Sequence, residues 1–338
     1  MSAVPETNAL DFEQTLAQFN IGRLLRVEPV VPGAANQSYM LHTESDTGEA
    51  AYILTFADAS TLPTSAFVTL LDRCADLGLP VAALIRTANN LPYATTSGNP
   101  AFLAHRLPGR TVYNPTLNQL QAVGRLAARF HLGTAAIEYL MPDFDKTVSW
   151  LNDRRQRLSG RLGFERTDLI NEATQRVTSL LRRSDVRELP TGVIHGGLNR
   201  DSVLFSERGL TGIRNLENAA QGPLLYDLAV AANDWCNDSA GVLDTEKVLA
   251  LLRGYQAVRP LTKHELWFLP SFALYAALTA WLSRLGTKPA APPGSSQSPD
   301  PGSQPASQGP RFKNPNELQR IVRQHLAHAF YLDERLLT

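Results

Sequence analysis

The chain has 338 residues, 43% hydrophobic and 19% charged, which suits one large core or two lobes and excludes wholesale disorder. Its 32 Lys and Arg are balanced by 32 Asp and Glu, which argues against a generic binder of the nucleic-acid backbone, since that needs a basic surplus. Two cysteines, Cys74 and Cys236, exclude a disulfide framework and a cysteine-rich zinc site, and both read as buried free thiols in apolar helical contexts.

Residues 1–18 mix Glu6, Asp11 and Glu13 with polar residues and lack the basic start and apolar run of a secretory signal. The expectation is a chain with no targeting or membrane segment, residing in the reducing cytoplasm. Strands are expected at 21–31, at 37–43 after a turn at 33–36, and at 51–56 after the turn signal Asp46, Thr47, Gly48. A helix follows over 64–77, with Phe67, Leu70, Leu71 and Cys74 at i, i+3, i+4 and i+7, and Gly78 suits its C-terminal cap. Two further strands are expected at 81–87 and 100–107.

The remainder reads as mostly helical. The apolar stripe Leu117, Leu120, Val123, Leu126, Ala127 and Phe130 marks a helix over 116–132, and another spans 168–183. Three short strands interrupt at 192–194, 203–205 and 210–213. Helices resume at 224–235 and 245–255. The apolar stretch 267–285 contains Pro270, Ser271, Ser283 and Arg284, and reads as a core helix pair rather than a bilayer span. Residues 289–310 are Pro, Ser, Gly, Gln and Ala almost throughout and are expected to be a disordered insert. A last helix is expected at 315–328, with Leu318, Ile321, Val322 and Leu326 in register. His131 reads as a surface or packing residue. The clusters Arg154, Arg155, Arg157 and Arg182, Arg183 read as solvated helix faces.

The class is therefore α+β, with an N-terminal antiparallel β lobe with one helix and then a mainly helical C-terminal lobe, an order that resembles the bilobal protein-kinase-like fold. The boundaries expected are an N-terminal segment 1–18, the β lobe 19–104, the helical lobe 105–286 with a catalytic-loop-like region at 192–217, the insert 287–311 and a C-terminal helix within 312–338. The hinge is placed at 104–110.

Residues 194–205 read IHGGLNRDSVLF, 211–219 read TGIRNLENA, and 224–236 read LLYDLAVAANDWC. Together with PGAANQSYML at 32–41, YILTF at 52–56, LPVAALIRT at 79–87, PAFLAHRLPGR at 100–110 and WLSRL at 281–285, these resemble the type II homoserine kinases, in the aminoglycoside-phosphotransferase branch of the protein-kinase-like fold. The resemblance implies ATP and magnesium as cofactors. It also implies a loop Asp that orients and deprotonates the acceptor hydroxyl, an Asn five residues later, and an Asp on the next strand, the last two holding the metal through hard oxygens.

The chain departs at all three places. Gly197 stands at the base position, and Ser202 and Asn215 stand at the two magnesium positions. His195 is retained, and Asp227 matches a helix Asp that braces the loop backbone in this fold, so both read as loop scaffold. Arg200 and Asp201 match a loop-ordering pair. Asn233, Asp234 and Trp235 match a segment that borders the acceptor pocket, with an ordinary helix end as the alternative. Gly33 and Asn36 are the cofactor-binding candidates of the first turn, where Ala35 replaces an expected Glu. Thr55 stands where protein kinases carry a phosphate-binding Lys, a difference that the homoserine kinases of this type share. His105 and Arg106 read as a solvated linker.

Two functions follow from the resemblance. One is a pseudokinase that keeps the fold and a role in binding a small-molecule ligand or a protein partner. The other is an active kinase of homoserine or a related amino alcohol with relocated carboxylates. Glu217, two residues beyond Asn215 on the same face if the strand continues, is then the better candidate, and Asp201 the other.

Overall fold

The first three strands pair as an antiparallel meander. The computed structural model describes residues 9–30, 37–60, 62, 64–96, 98–286 and 315–328. The expectations for Gly33, Asn36 and the insert at 289–310 fall outside these residues. Strands β1 (Arg23–Val30), β2 (Gln37–Ser45) and β3 (Gly48–Phe56) pair antiparallel in sequence order. The turn before β3 places Gly48 at φ 111°, a conformation that costs glycine little because it has no Cβ. Two later strands, β4 (Ala94–Thr96) and β5 (Asn99–His105), complete a five-stranded sheet in the order β1-β2-β3-β5-β4. Leu41, Leu54 and Leu103 are completely buried at its centre and pack with Phe19, Ile21 and Phe56.

Helix α1 (Ala9–Leu16) lies within the segment to which no structure was assigned, and Phe12 packs edge-on against Tyr39 of β2. Helix α2 (Thr64–Asp76) forms where the periodicity puts it and buries Leu70, Leu71 and Cys74. Gly78 follows at φ 62°, its N–H bonded to the Ala75 carbonyl at 2.9 Å. The strand expected at 81–87 does not form. The segment crosses between β5 and the later strand β8 (Gly209–Ile213), and makes one bridge to each, Leu84 to Ala104 and Val81 to Ile213. Its apolar, β-branched pattern is that of a strand, but its path leaves no neighbour to run beside.

After β5 the chain crosses at 106–110 onto the β7–β8 hairpin, where β7 is Val203–Ser206. Arg110 bridges Phe205, and Gly109, at φ 102°, leaves no room for a side chain against the Phe205 carbonyl. Helix α3 (Leu117–Thr134) opens with a reciprocal cap between Thr116 and Gln119, satisfying two otherwise orphaned backbone groups. Helices α4 (Val148–Leu158), α5 (Phe164–Leu181), α6 (Leu225–Trp235) and α7 (Thr245–Gln256) follow, and strand β6 (Thr191–Ile194) pairs with β9 (Ala220–Pro223).

Helix α8 (Lys263–Gly286) is one continuous helix, not the pair expected from Pro270. Proline removes one backbone hydrogen bond, and burial of Phe268, Phe272, Trp281 and ten other residues of the helix outweighs that loss. It is the one helix among the described residues long and apolar enough to cross a membrane, and 67% of its most apolar window is buried inside the fold. Helix α9 (Pro315–Ala327) packs Leu318, Ile321 and Val322 into the same core.

Helices α3 and α7 approach through small residues. A Cβ on Gly124 would run into the Leu251 carbonyl oxygen, and one on Gly254 into the Gln121 carbonyl oxygen. The two backbones therefore meet with nothing between them, and side chains on either side of the crossing come within hydrogen-bond reach.

Candidate functional site

Strands β6 and β7 frame a loop, residues 195–202, whose backbone is held from behind by one carboxylate. Asp227 on α6 is completely buried. It accepts hydrogen bonds from the backbone N–H of His195 at 2.6 Å and of Gly196 at 3.0 Å. A third contact is made by His131 of α3, whose Nε2 lies 3.1 Å from the same carboxylate, while its Nδ1 lies 2.8 Å from the Tyr255 hydroxyl on α7. Burial raises the Tyr255 phenol pKa, so it keeps its proton. With Nε2–H given to the carboxylate, Nδ1 accepts a hydrogen bond from the Tyr255 hydroxyl. His131 is thus part of the loop brace, not the surface or packing residue expected. The spacing of α3 carried one signal: His131 follows Phe130 and Ala127 on the buried side.

His195 points its ring across the loop, and Nε2–H donates to the Arg214 carbonyl at 2.9 Å. Its Nδ1 is buried without a hydrogen-bond partner among the described residues. Gly197 is conformationally ordinary, and the nearest atom to a Cβ built there is His195 Nδ1 at 4.0 Å. The base position is therefore an open space beside an unsatisfied nitrogen. Gly196 differs: it sits at φ 73°, and a Cβ would meet the Asn218 carbonyl oxygen at 2.5 Å.

Ser202 and Asn215, at the two metal positions, are brought together and bonded to each other. Ser202 Oγ donates to the Gly197 carbonyl at 2.7 Å and accepts from Asn215 Nδ2 at 3.4 Å. Ser202 is completely buried. The Asn215 amide thus turns its nitrogen, a donor, towards Ser202, and Asn215 itself adopts the left-handed conformation at φ 65°. A magnesium site needs carboxylate or carbonyl oxygens aimed at one point. Here the Ser202 oxygen is engaged with Gly197 and Asn215, Asn215 supplies a neutral amide with no carboxylate charge, and the third position has no side chain. Among the described residues no three His, Cys, Asp or Glu side chains converge as metal ligands. These residues do not fit a magnesium ion.

Strand β8 ends at Ile213, and the left-handed Asn215 turns the chain into a short 3₁₀ turn, Leu216–Asn218. The strand therefore does not continue to Glu217, which is exposed on that turn. The premise that placed its carboxylate on the Asn215 face is corrected. Thr55 on β3 is tied to its neighbour Ser38, hydroxyl to hydroxyl at 2.9 Å.

Beyond the loop lies a charged cluster. Arg200 donates to Asp234 from its backbone N at 2.6 Å and from Nε at 3.0 Å, reaches to 3.6 Å from Glu317 on α9, and lies 5.7 Å above the Tyr113 ring. Burial and the nearby Asp234 charge raise the pKa of Asp201, opposed by Arg214, Arg200 and Arg284. Asn233 and Trp235 turn inward: Asn233 Nδ2 donates to the Ala273 carbonyl at 2.6 Å and its Oδ1 accepts from His325 Nε2 at 2.7 Å, while Trp235 Nε1 donates to the Val112 carbonyl at 3.3 Å. Asn233 and Trp235 are 4% and 3% exposed. Of the three residues expected at a pocket border, only Asp234 faces the charged cluster.

Residues 26–261 match the phosphotransferase enzyme family. The chain is 31% identical over 299 residues to a homoserine kinase of Methylobacillus flagellatus, covering 84% of this chain and 87% of that protein. It is 32% identical over 286 residues to a homoserine kinase of Pseudomonas aeruginosa, covering 84% and 88%. Among solved structures it is similar in fold to an amicoumacin kinase, at a TM-score of 0.62 and 14% identity over 82% of this chain and 85% of that one. It also resembles the choline kinase LicA of Streptococcus pneumoniae, at 0.60 and 16% over 90% and 95%. A sheet of five antiparallel strands, a braced loop and a helical remainder, matched along most of their length by these relatives, place the chain in the phosphotransferase enzyme family, among the proteins similar to homoserine kinases.

Proposed function

We propose that this chain is a homoserine-kinase-like protein in which phosphoryl transfer is lost or severely impaired, and which serves as a ligand-binding member of its family. The observation that carries the reading is the closed network Asn215–Ser202–Gly197 carbonyl, with no side chain at the base position. Phosphoryl transfer depends on positioning and on neutralising developing charge. Proton transfer and a preorganised electrostatic contact each contribute about 10² to 10⁴ in rate, and groups acting as a unit do not multiply when removed together. The scaffold that would place such groups, Asp227 with His195 and His131, is intact. The ligand class this supports is a small molecule in the cleft beside the loop, with homoserine the first to test because the relatives are homoserine kinases. The reducing cytoplasm is the compartment proposed, in keeping with two completely buried cysteines, Cys74 and Cys236.

The test is a coupled ADP-release assay with ATP, Mg²⁺ and homoserine on the wild type, Glu217→Gln, and the triple variant Gly197→Asp, Ser202→Asn, Asn215→Asp. Expected is negligible turnover in the wild type and a gain in the triple variant. Wild-type turnover near the low end of roughly 1–100 s⁻¹ would overturn the reading, and its loss in Glu217→Gln would transfer the metal role to that exposed carboxylate.

A further inference from the structure

The position before Asn215 holds a charge that neither the loop scaffold nor the phosphotransfer reading uses. Arg214 leaves the end of β8 with its carbonyl fixed by His195 Nε2–H at 2.9 Å and its backbone N–H bonded to the Ser202 carbonyl at 2.9 Å. Its side chain crosses the loop, and Nε donates to the Asp201 carbonyl at 2.7 Å. The residue is thereby held at three points, two on its backbone and one at Nε of the guanidinium. Its terminal nitrogens make no hydrogen bond among the described residues, and Arg214 is exposed. Burial lowers the Arg214 pKa, opposed by Asp201, by Tyr113 on the segment that follows the inter-lobe crossing, and by Glu217.

A guanidinium anchored by Nε presents its outer N–H groups as a planar fork, the geometry that receives two oxygens of a phosphate or carboxylate together. It is also a permanent positive charge directly beside the two positions that have lost their metal-binding chemistry. A divalent cation would be repelled by it, and an anion would be attracted without one. We propose that Arg214 takes over charge neutralisation in this cleft, and that the chain binds a phosphate-bearing nucleotide in its metal-free form. The proposal deepens the reading of the cleft as a ligand-binding site without catalysis, and rests on it.

The consequence is an inverted metal dependence. In a magnesium-dependent site the cation raises nucleotide affinity. Here it competes with Arg214 for the same phosphate oxygens and lowers it. The experiment is calorimetric titration of the full chain with ATP in EDTA and again in millimolar Mg²⁺, for the wild type, Arg214→Gln and Arg214→Lys. Expected is tighter binding in EDTA for the wild type. Arg214→Gln should weaken that binding roughly ten- to a hundredfold, the range for a hydrogen bond to a charged group, and Arg214→Lys should be intermediate because it keeps the charge but not the fork. Binding that appears only with Mg²⁺, no binding in either medium, or equal affinity for wild type and Arg214→Gln would each overturn the proposal. The wild-type comparison of the two media needs no variant, so it stands even where a substitution impairs folding. Nor does it depend on turnover: ADP release without inverted binding would sink both readings, whereas Mg²⁺-dependent binding without ADP release would sink this one alone.

Discussion

His131 Nε2 lies 3.1 Å from Asp227 Oδ2, although the two residues are 96 positions apart in the chain. The contact joins α3 to α6 behind a loop that neither residue belongs to. Both side chains are almost wholly buried, so removing one leaves buried donors or a carboxylate with a missing partner. Asp227→Ala is expected to lower unfolding free energy by about 3 kcal/mol, because two loop N–H groups and His131 lose their acceptor together. His131→Ala is expected to cost roughly 2 to 4 kcal/mol, as lost bonding plus a cavity. Urea titration followed by tryptophan fluorescence measures both; a loss below half a kilocalorie in either would show that the brace is not structural.

The two neighbouring glycines of the loop should respond oppositely to the same change. Gly196→Ala forces a side chain into the left-handed region and against the Asn218 carbonyl, and is expected to cost at least about 2 kcal/mol. Gly197→Ala meets nothing closer than 4.0 Å and restricts the unfolded chain, so it should be neutral or stabilising by up to about 1 kcal/mol. Equal destabilisation by the two would contradict the loop geometry.

At the α3–α7 crossing, Gly124→Ala and Gly254→Ala each insert a methyl group against a backbone carbonyl. Each should cost about 1 to 3 kcal/mol. The two sites share one interface, so the double variant should cost less than the sum. Once either substitution has pushed the helices apart, the second methyl group meets a gap already opened. Strict additivity in thermal unfolding would argue against a shared crossing.

His325 gives the fold a pH dependence whose sign follows from burial. Its imidazole pKa is lowered from 6.5 to about 4 because the charged ring would be desolvated, in a cavity it shares with Arg176 and His328. The unfolded chain therefore binds a proton that the native one refuses between these values, and stability rises with pH across that window. This contribution is fully present above about pH 6.5 and is lost as pH falls towards 4. His325→Gln should flatten the dependence of the urea midpoint in that interval. An unchanged slope would show that the ring is freely hydrated in the native state.

What the amino-acid order discloses here is local. The stripe on α3, the glycine after α2 and the motif around His195 are all set by residues a few positions apart, and they are legible without coordinates. Strands β4 and β9 escape because three and four residues carry too little alternation. The stretch 267–285 reads as a helix pair and folds as part of one helix, because the sequence shows its proline but not the burial that outweighs the lost hydrogen bond. The partnership of His131 with Tyr255, 124 positions away, depends on two helices meeting at glycines, and nothing in either helix alone announces it. The substitutions at Gly197, Ser202 and Asn215 were visible as absences. That Ser202 and Asn215 bond each other, and that Arg214 anchors to Asp201, are relationships only the folded chain supplies.

Helix α9 gives the molecule an order of assembly. Glu317 and His325 reach back to Arg200 and Asn233, residues that leave the ribosome more than ninety positions earlier. During synthesis the loop and α6 must wait, with the α9 side of their polar cluster open to water, until the last helix is released. The buried faces of Leu318, Ile321 and Val322 then dock together with those two polar contacts. A nascent chain stalled before residue 315 carries the family motifs in full but lacks this seal, and its apolar docking face is the surface through which premature chains would associate.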